Sequence, residues 1–361
     1  MTAIWIDHPG AITAPSGTGV VGLDTEFMRR NTYYPKLALV QAAQDGERWL
    51  IDPLAYAADA DLLALVSGQT CVMHSASEDL EALAPLLGDF HVKLFDTQIA
   101  AALGGMGPGL SYQKLVAAIL GIDIPKDETR SDWLQRPLTA SQLDYAEQDV
   151  AHLAELHARL TESLQSRGRL DWHAEDCARM VHRAQRNRTH PDPQPQRGFP
   201  GAAEWPAEAQ ARLRRVLVWR ETAARAIDKP KPWIIDDAHA LALAQRPAST
   251  PQELFDRVKG QRALRGPQRT ELLELLCAQA RPEELAALAP VPASPKGSAK
   301  HAVDAMRQVV QTTAEKLDLP AGLLCPRRLV EEFAVTKAWP EGLLGWRAGL
   351  LQAQLTAMLP D

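Results

Sequence analysis

The chain is poor in cysteine, and the four it has, Cys71, Cys177, Cys277 and Cys325, form no CxxC pair. That removes a zinc knuckle and a dithiol redox motif. Scattered in this way, they read as reduced and buried, as in a cytosolic protein. No apolar run reaches the roughly 18 residues needed to span a bilayer. The N-terminus, MTAIWIDHPG, lacks the basic and apolar regions of a signal peptide, so the cytoplasm is the expected compartment. There is no P-loop, and no Ser-His-Asp or Cys-His set stands out as a nucleophile system. Aromatic residues are only 6%, although nine of them are Trp.

What is present is ordinary globular composition: 361 residues, 46% hydrophobic and 23% charged, enough for two or three domains. The net charge of −6 conceals an asymmetry. Residues 1–180 carry 13 Lys and Arg against 25 Asp and Glu, whereas 207–280 carry 13 against 9. Such a split reads either as solvated surface or as an acidic, cation-loaded site followed by a face for a polyanion.

Strand and helix signals alternate over the first 165 residues. Residues 20–27 form an apolar run that ends in acids, and 37–43 and 48–51 flank Asp45-Gly46, a hairpin signal. Residues 71–74 form a further strand candidate. The pattern predicts helices over 76–87, 97–103 and 111–120, the last capped by Ser111 and ended by Gly121. Thr139, with Gln142 three residues on, opens a long helix through a capping box. Paired strands followed by alternating strands and helices indicate a mixed α/β sheet. The Pro-, Gly- and Gln-rich stretch 187–206 reads as a linker. Residues 207–280 are helical throughout, 290–300 (PVPASPKGSAK) read as a second break, and 301–359 are helical again. No internal repeat is evident.

Asp24 and Glu26 lie in VVGLDTEF. In a strand, residues two apart share a face, and two carboxylates held side by side repel unless a cation lies between them. Asp79 opens the helix in HSASEDLE, where an acid also suits the helix dipole. Tyr145 and Asp149, in LDYAEQDV, are four apart and share a helix face. Singly, each has an ordinary structural explanation. Together, Asp24, Glu26, Asp79 and Asp149 are too many acids for a core without a cation. They suit two Mg²⁺ or Mn²⁺ ions roughly 3.5–4 Å apart, the arrangement that cleaves phosphodiesters. Tyr145, with a phenol near pKa 10, would orient water rather than act as base. His74 reads as a strand-end structural residue.

VVGLDTEFMRRNTYYPKLALVQ, MHSASEDLEAL, FDTQIAAALGG and SDWLQRPLTASQLDYAEQDVAHL resemble the exonuclease motifs of the DEDD exonucleases, tyrosine subtype, and within them the ribonuclease D family. The resemblance runs over residues 18–165 and implies an RNase H-like fold and 3′→5′ hydrolysis that releases nucleoside 5′-monophosphates. It implies Asp24, Glu26, Asp79 and Asp149 as metal ligands and Tyr145 as the residue that orients water. Residues 207–280 resemble the HRDC helical domain, and 301–359 a second HRDC-like domain. The expected chain is therefore a catalytic domain over 1–186, a linker over 187–206, an HRDC domain over 207–285, a linker over 286–300 and a second HRDC-like domain over 301–361. The expected activity is trimming of structured RNA 3′ ends, such as tRNA precursors, by a monomer that does not engage membranes. A DNA exonuclease with the same site and a catalytically silent RNA-binding scaffold are the alternatives. Phe27 is placed either to stack on a terminal base or to join the core, and Lys126 and Arg130 to meet phosphates. Trp133 reads as an anchor for its loop. Arg183, Arg186, Arg188 and Arg197 read as exposed linker cations. Arg212, Arg214, Arg215, Arg220 and Arg225 cannot all share one helix face, so some of them must serve packing or solubility.

Overall fold

A computed structural model describes residues 3–12, 19–88, 91–124 and 131–359. Among these, strands β1 (Ile4–Ile6), β2 (Val20–Met28), β3 (Lys36–Gln44), β4 (Glu47–Ile51), β5 (Thr70–Met73) and β6 (Lys93–Asp96) form one sheet in the order β1-β4-β3-β2-β5-β6. The pairs β2–β3 and β3–β4 are antiparallel, while β2–β5, β5–β6 and β1–β4 are parallel. This is the mixed sheet expected from the sequence. Positive φ at both Asp45 and Gly46 turns β3 into β4, as a two-residue hairpin with right-handed strand twist requires.

Helices α1 (Asp59–Val66), α2 (Ser77–Leu87), α3 (Thr97–Leu103), α4 (Tyr112–Leu120), α5 (Ala140–Ala151), α6 (Leu153–Ser166) and α7 (Leu170–Thr189) pack around the sheet. Ser111 caps α4, and Gly121 ends it in the left-handed conformation. The capping box of Thr139 and Gln142 forms at the start of α5. The long helix expected from Thr139 is interrupted at His152, which both ends α5 and begins α6.

The remainder is helical: α8 (Ala207–Ala226), α9 (Lys231–Ile234), α10 (Asp237–Gln245), α11 (Pro251–Arg257), α12 (Gly266–Cys277), α13 (Pro282–Ala286), α14 (Ser298–Lys316), α15 (Ala321–Leu324), α16 (Arg327–Thr336) and α17 (Trp346–Thr356). Here the structure corrects the sequence reading, because an internal repeat is present. The long helices α8 and α14 each end at a left-handed aspartate, Asp228 (φ 48°) and Asp318 (φ 50°). Each aspartate is followed two residues later by proline, in IDKP and LDLP, then by a four-residue helix and another helix.

The two repeats sit differently on the α/β part. The second shares one apolar cluster with it, running from Phe95, Leu115 and Leu160 to Met306, Phe333 and Leu351. Trp172 and Trp346 stack there with centroids 4.4 Å apart, and Arg347 forks onto Asp176 at 2.6 and 2.9 Å. The first repeat has its own core around Leu213, Leu217, Leu243 and Leu272. Turns at Pro195–Gly198 and Pro200–Ala202, in the stretch expected as a linker, bury Gln196 and Ala202. The Gln196 amide donates to Ala289 O at 2.8 Å. No helix among the described residues is long and apolar enough to cross a membrane.

Candidate active site

The site is built on the middle of β2. Gly22, Asp24 and Glu26 alternate onto one face of the strand. Gly22 makes the approach of the next layer possible: a Cβ there would lie 3.0 Å from Leu153 Cβ and 3.5 Å from Val150 O. With only hydrogen at that position, the α5–α6 junction settles on β2 and brings Asp149, on the last turn of α5, over Asp24 and Glu26. Carboxylate oxygens of Asp24, Glu26 and Asp149 all lie within 4.8 Å of one another. Asp79 reaches the same region from the first turn of α2 and accepts from Thr25 Oγ1 at 2.5 Å. A cavity of about 160 Å³ opens beside Asp24, Glu26 and Asp149, lined also by Tyr145, His74, Tyr112 and Gln113.

The charges in this cavity oppose one another. Loss of water, then repulsion by Asp79, Asp149 and Glu26, holds Asp24 well above the ordinary carboxylate range. Burial, with Asp149 and Asp79 nearby, pushes Glu26 to about 9. Burial and Asp79 raise Asp149 to about 7, against a lowering hydrogen bond from Tyr145. Burial lifts Asp79 less, to about 6, because Thr25 donates to it. Burial and the neighbouring Asp149, Glu26 and Asp24 drive the Tyr145 phenol above its usual value, which leaves it a hydrogen-bonding group and not a base. Oxygen donors packed this closely could hold a hard cation.

Supporting contacts hold the cradle in place. The Tyr112 hydroxyl donates to Gln148 O at 3.1 Å and accepts from His152 N at 3.2 Å, pinning the turn that carries Asp149. The sequence reading missed Tyr112, since nothing in its local pattern points across to residues 148 and 152. His74 is engaged at both ring nitrogens, with Thr97 Oγ1 at 2.9 Å and Leu110 O at 3.0 Å. Trp133 is buried beside Ala38, Leu39 and Leu138, with its ring centroid 6.1 Å from that of Tyr145. Arg136 ties the same loop to the sheet through two 2.7 Å bonds to Asp52 and one of 2.6 Å to Ala38 O.

Other candidates fall elsewhere. Phe27 is half-buried just past a register shift between Glu26 and Phe27. Lys126 and Arg130 lie outside the described residues. Arg183, Arg186 and Arg188 belong to α7 and not to a linker, and Arg197 pairs with Glu332. All five arginines of α8 make bonds within the protein: Arg212 to Ala244 O, Arg214 to Pro193 O, Arg215 to Glu284, Arg220 to Asp237 and Arg225 to Glu221. Of the cysteines, Cys71, Cys177 and Cys325 are free and buried, but Cys277, near the end of α12, is exposed, contrary to expectation.

A family model described as 3′-5′ exonuclease matches residues 10–165. The chain is 39% identical to ribonuclease D of Xanthomonas oryzae pv. oryzae, over 98% of each chain. It is 34% identical to ribonuclease D of Pseudomonas paraeruginosa, over 94% of this chain and 92% of that one. The crystal structure of Escherichia coli RNase D, described as an exoribonuclease involved in structured RNA processing, superposes with a TM-score of 0.81 at 26% identity over 99% of both chains. With a mixed sheet carrying clustered acids and relatives that span its whole length, the chain belongs to the ribonuclease D family of 3′→5′ exoribonucleases.

Proposed function

We propose that this enzyme trims the 3′ ends of structured RNA, tRNA precursors among them, and releases nucleoside 5′-monophosphates. The observation that carries the reading is the convergence of Asp24, Glu26 and Asp149, with Asp79 held beside them. These four residues would hold two divalent ions, Mg²⁺ or Mn²⁺. Such ions, when bound, supply an activated water and neutralise charge on the leaving oxygen. The carboxylates fix the cradle and exclude bulk water. Tyr145, donating to Asp149, presents its hydroxyl oxygen to the cavity and orients the attacking water. Transfer to RNA is supported by the relatives, which are named for action on RNA.

A second feature supports a polyanionic substrate. A cleft of about 1400 Å³ lies between the α/β part and both helical repeats. Its walls hold ten Arg and Lys against four Asp and Glu, although the chain as a whole is net negative. Arg30, Arg183 and Arg328 face it exposed and with no ion-pair partner among the described residues, which leaves them to phosphates. We read residues 1–186 as the catalytic domain and 207–285 and 301–361 as HRDC-like domains, acting in the cytoplasm as a monomer. The first helical unit also takes in the turns at 195–202.

The test is a time course on a 3′-extended, structured RNA and on matched DNA, with Mg²⁺, Mn²⁺ or chelator, and with the products identified. Mononucleotide 5′-phosphates released stepwise from the RNA 3′ end, only with metal, are expected. Faster DNA turnover, or RNA turnover in chelator, would overturn the reading.

A further inference from the structure

Both helical repeats meet the α/β part at the same position of the repeat. Asp318 Oδ2 accepts from Arg167 Nη1 at 3.1 Å, close against Gly105. Asp228 Oδ1 accepts the backbone N–H of both Tyr33, at 2.9 Å, and Tyr34, at 3.0 Å. What the two aspartates grip is different. The repeat of Asp318 already shares a core with the α/β part. The repeat of Asp228 instead takes hold of the loop 29–35, which joins β2 to β3.

The grip on that loop is dense. The Tyr33 hydroxyl donates to Glu221 Oε1 at 2.7 Å, and the Arg225 guanidinium stands 5.1 Å over the Tyr33 ring. Arg225 also bonds Glu221 at 2.7 Å, and Lys229 Nζ donates to Asn31 O at 3.4 Å. Among the described residues, Tyr33 is the one hydrophobic side chain of the α/β part in the cluster that forms the core of this repeat. The loop matters because of what precedes it. Pairing of β2 with β3 shifts register immediately after Glu26, and a bulged strand end has lost ladder bonds and can twist. Glu26 sits at that strand end, with a carboxylate oxygen within 4.8 Å of those of Asp24 and Asp149, so movement there changes the spacing of the acids. A seven-residue loop left free would let that strand end open locally.

We propose that the first helical repeat is a clamp on the β2–β3 hairpin, in which Asp228, Glu221 and Tyr33 are positioning residues for the acids of β2. This rests on the exonuclease reading of those acids. A repeat that only held RNA would act on substrate affinity; a clamp acts on the chemical step.

Asp228→Gly and Asp228→Asn separate the two. At φ 48° both replacements tolerate the left-handed conformation, and Asn keeps an acceptor oxygen that Gly lacks. The measurements are single-turnover hydrolysis at saturating RNA, KM, and amide exchange of loop 29–35. Asp228→Gly is expected to lose about tenfold to a hundredfold in single-turnover rate, with KM nearly unchanged and faster exchange at Tyr33 and Tyr34. Asp228→Asn should stay close to wild type. Tyr33→Phe, which keeps the ring and loses only the bond to Glu221, should show the same pattern at smaller amplitude. Unaltered single-turnover rates in Asp228→Gly and Tyr33→Phe, or changes confined to KM and its salt dependence, would overturn the clamp. An inactive wild type counts against the exonuclease reading and takes the clamp with it, whereas active wild type beside an equally active Asp228→Gly counts against the clamp alone.

Discussion

Raising pH should destabilise the metal-free protein, and a divalent cation should reverse the loss. Glu26 moves from an ordinary 4.5 to about 9 in the folded chain. The sign follows from proton counts. Between these two values the folded state binds a proton that the unfolded state has released, so stability falls as pH rises. The contribution is intact below about pH 4.5 and is lost progressively up to about pH 9. At 1.36 kcal/mol per unit, Glu26 alone lowers stability at pH 7 by about 3 kcal/mol. Asp149, rising to about 7, acts in the same direction but is coupled to the same charges, so the two do not add. For a domain of this size, the fall between pH 5 and pH 7 corresponds to roughly 5–10 °C in melting temperature. A cation that binds only the folded, deprotonated cradle stabilises in proportion to ln(1 + [M]/Kd), and its apparent affinity rises with pH. The assay is thermal melting from pH 5 to 9 in chelator, Mg²⁺ and Mn²⁺, with Asp24→Asn as control. A metal-induced gain that is flat with pH, or a metal-free melting temperature that climbs from pH 5 to 8, would refute the reasoning.

Four other outcomes are expected. Asp24→Asn or Asp149→Asn should lower turnover at least about a hundredfold while leaving RNA binding in filter assays near wild type, because each removes a charge from the cation cradle. Tyr145→Phe should slow turnover about tenfold or more yet leave the metal-induced melting shift in place; an unchanged rate would reduce Tyr145 to packing. Gly22→Ala presses on Leu153 and should cost about 1–3 kcal/mol in denaturant melts, with a parallel fall in activity as the α5–α6 junction that carries Asp149 shifts. Arg183→Glu with Arg328→Glu should raise KM for long RNA and flatten its salt dependence at unchanged single-turnover rate; a KM equal to wild type would remove the cleft from the RNA path.

The parts of this molecule that were legible in its sequence are those whose chemistry is local. Asp45-Gly46 can only turn one way, Thr139 and Gln142 satisfy each other across one helical turn, and Asp24 and Glu26 share a strand face whatever packs on them. The short strands β1 (IWI) and β6 (KLFD) went unread, and their pairing comes from β4 and β5. Residues 187–206 look like a linker by composition. Their order depends on Gln196 finding Ala289, far along the chain. The arginines of α8 suggested a polyanion surface, but each has an acceptor elsewhere in the fold, and the exposed cations of the cleft come from three separate segments.

IDKP and LDLP show the same limit most directly. Within stretches that read as helical throughout, neither stands out, yet each follows the end of a long helix. That the two are one turn used twice needs the backbone conformation of Asp228 and Asp318, and that both face the α/β part needs partners 195 and 151 residues away. The repeat therefore preserves a geometry, a left-handed carboxylate at the end of a long helix, more strictly than a sequence. Because a left-handed aspartate offers its oxygen beyond the helix end, the same turn can take two backbone N–H groups in one copy and a guanidinium in the other. One duplicated element can in this way fasten a rigid joint in one place and a bulged hairpin in another.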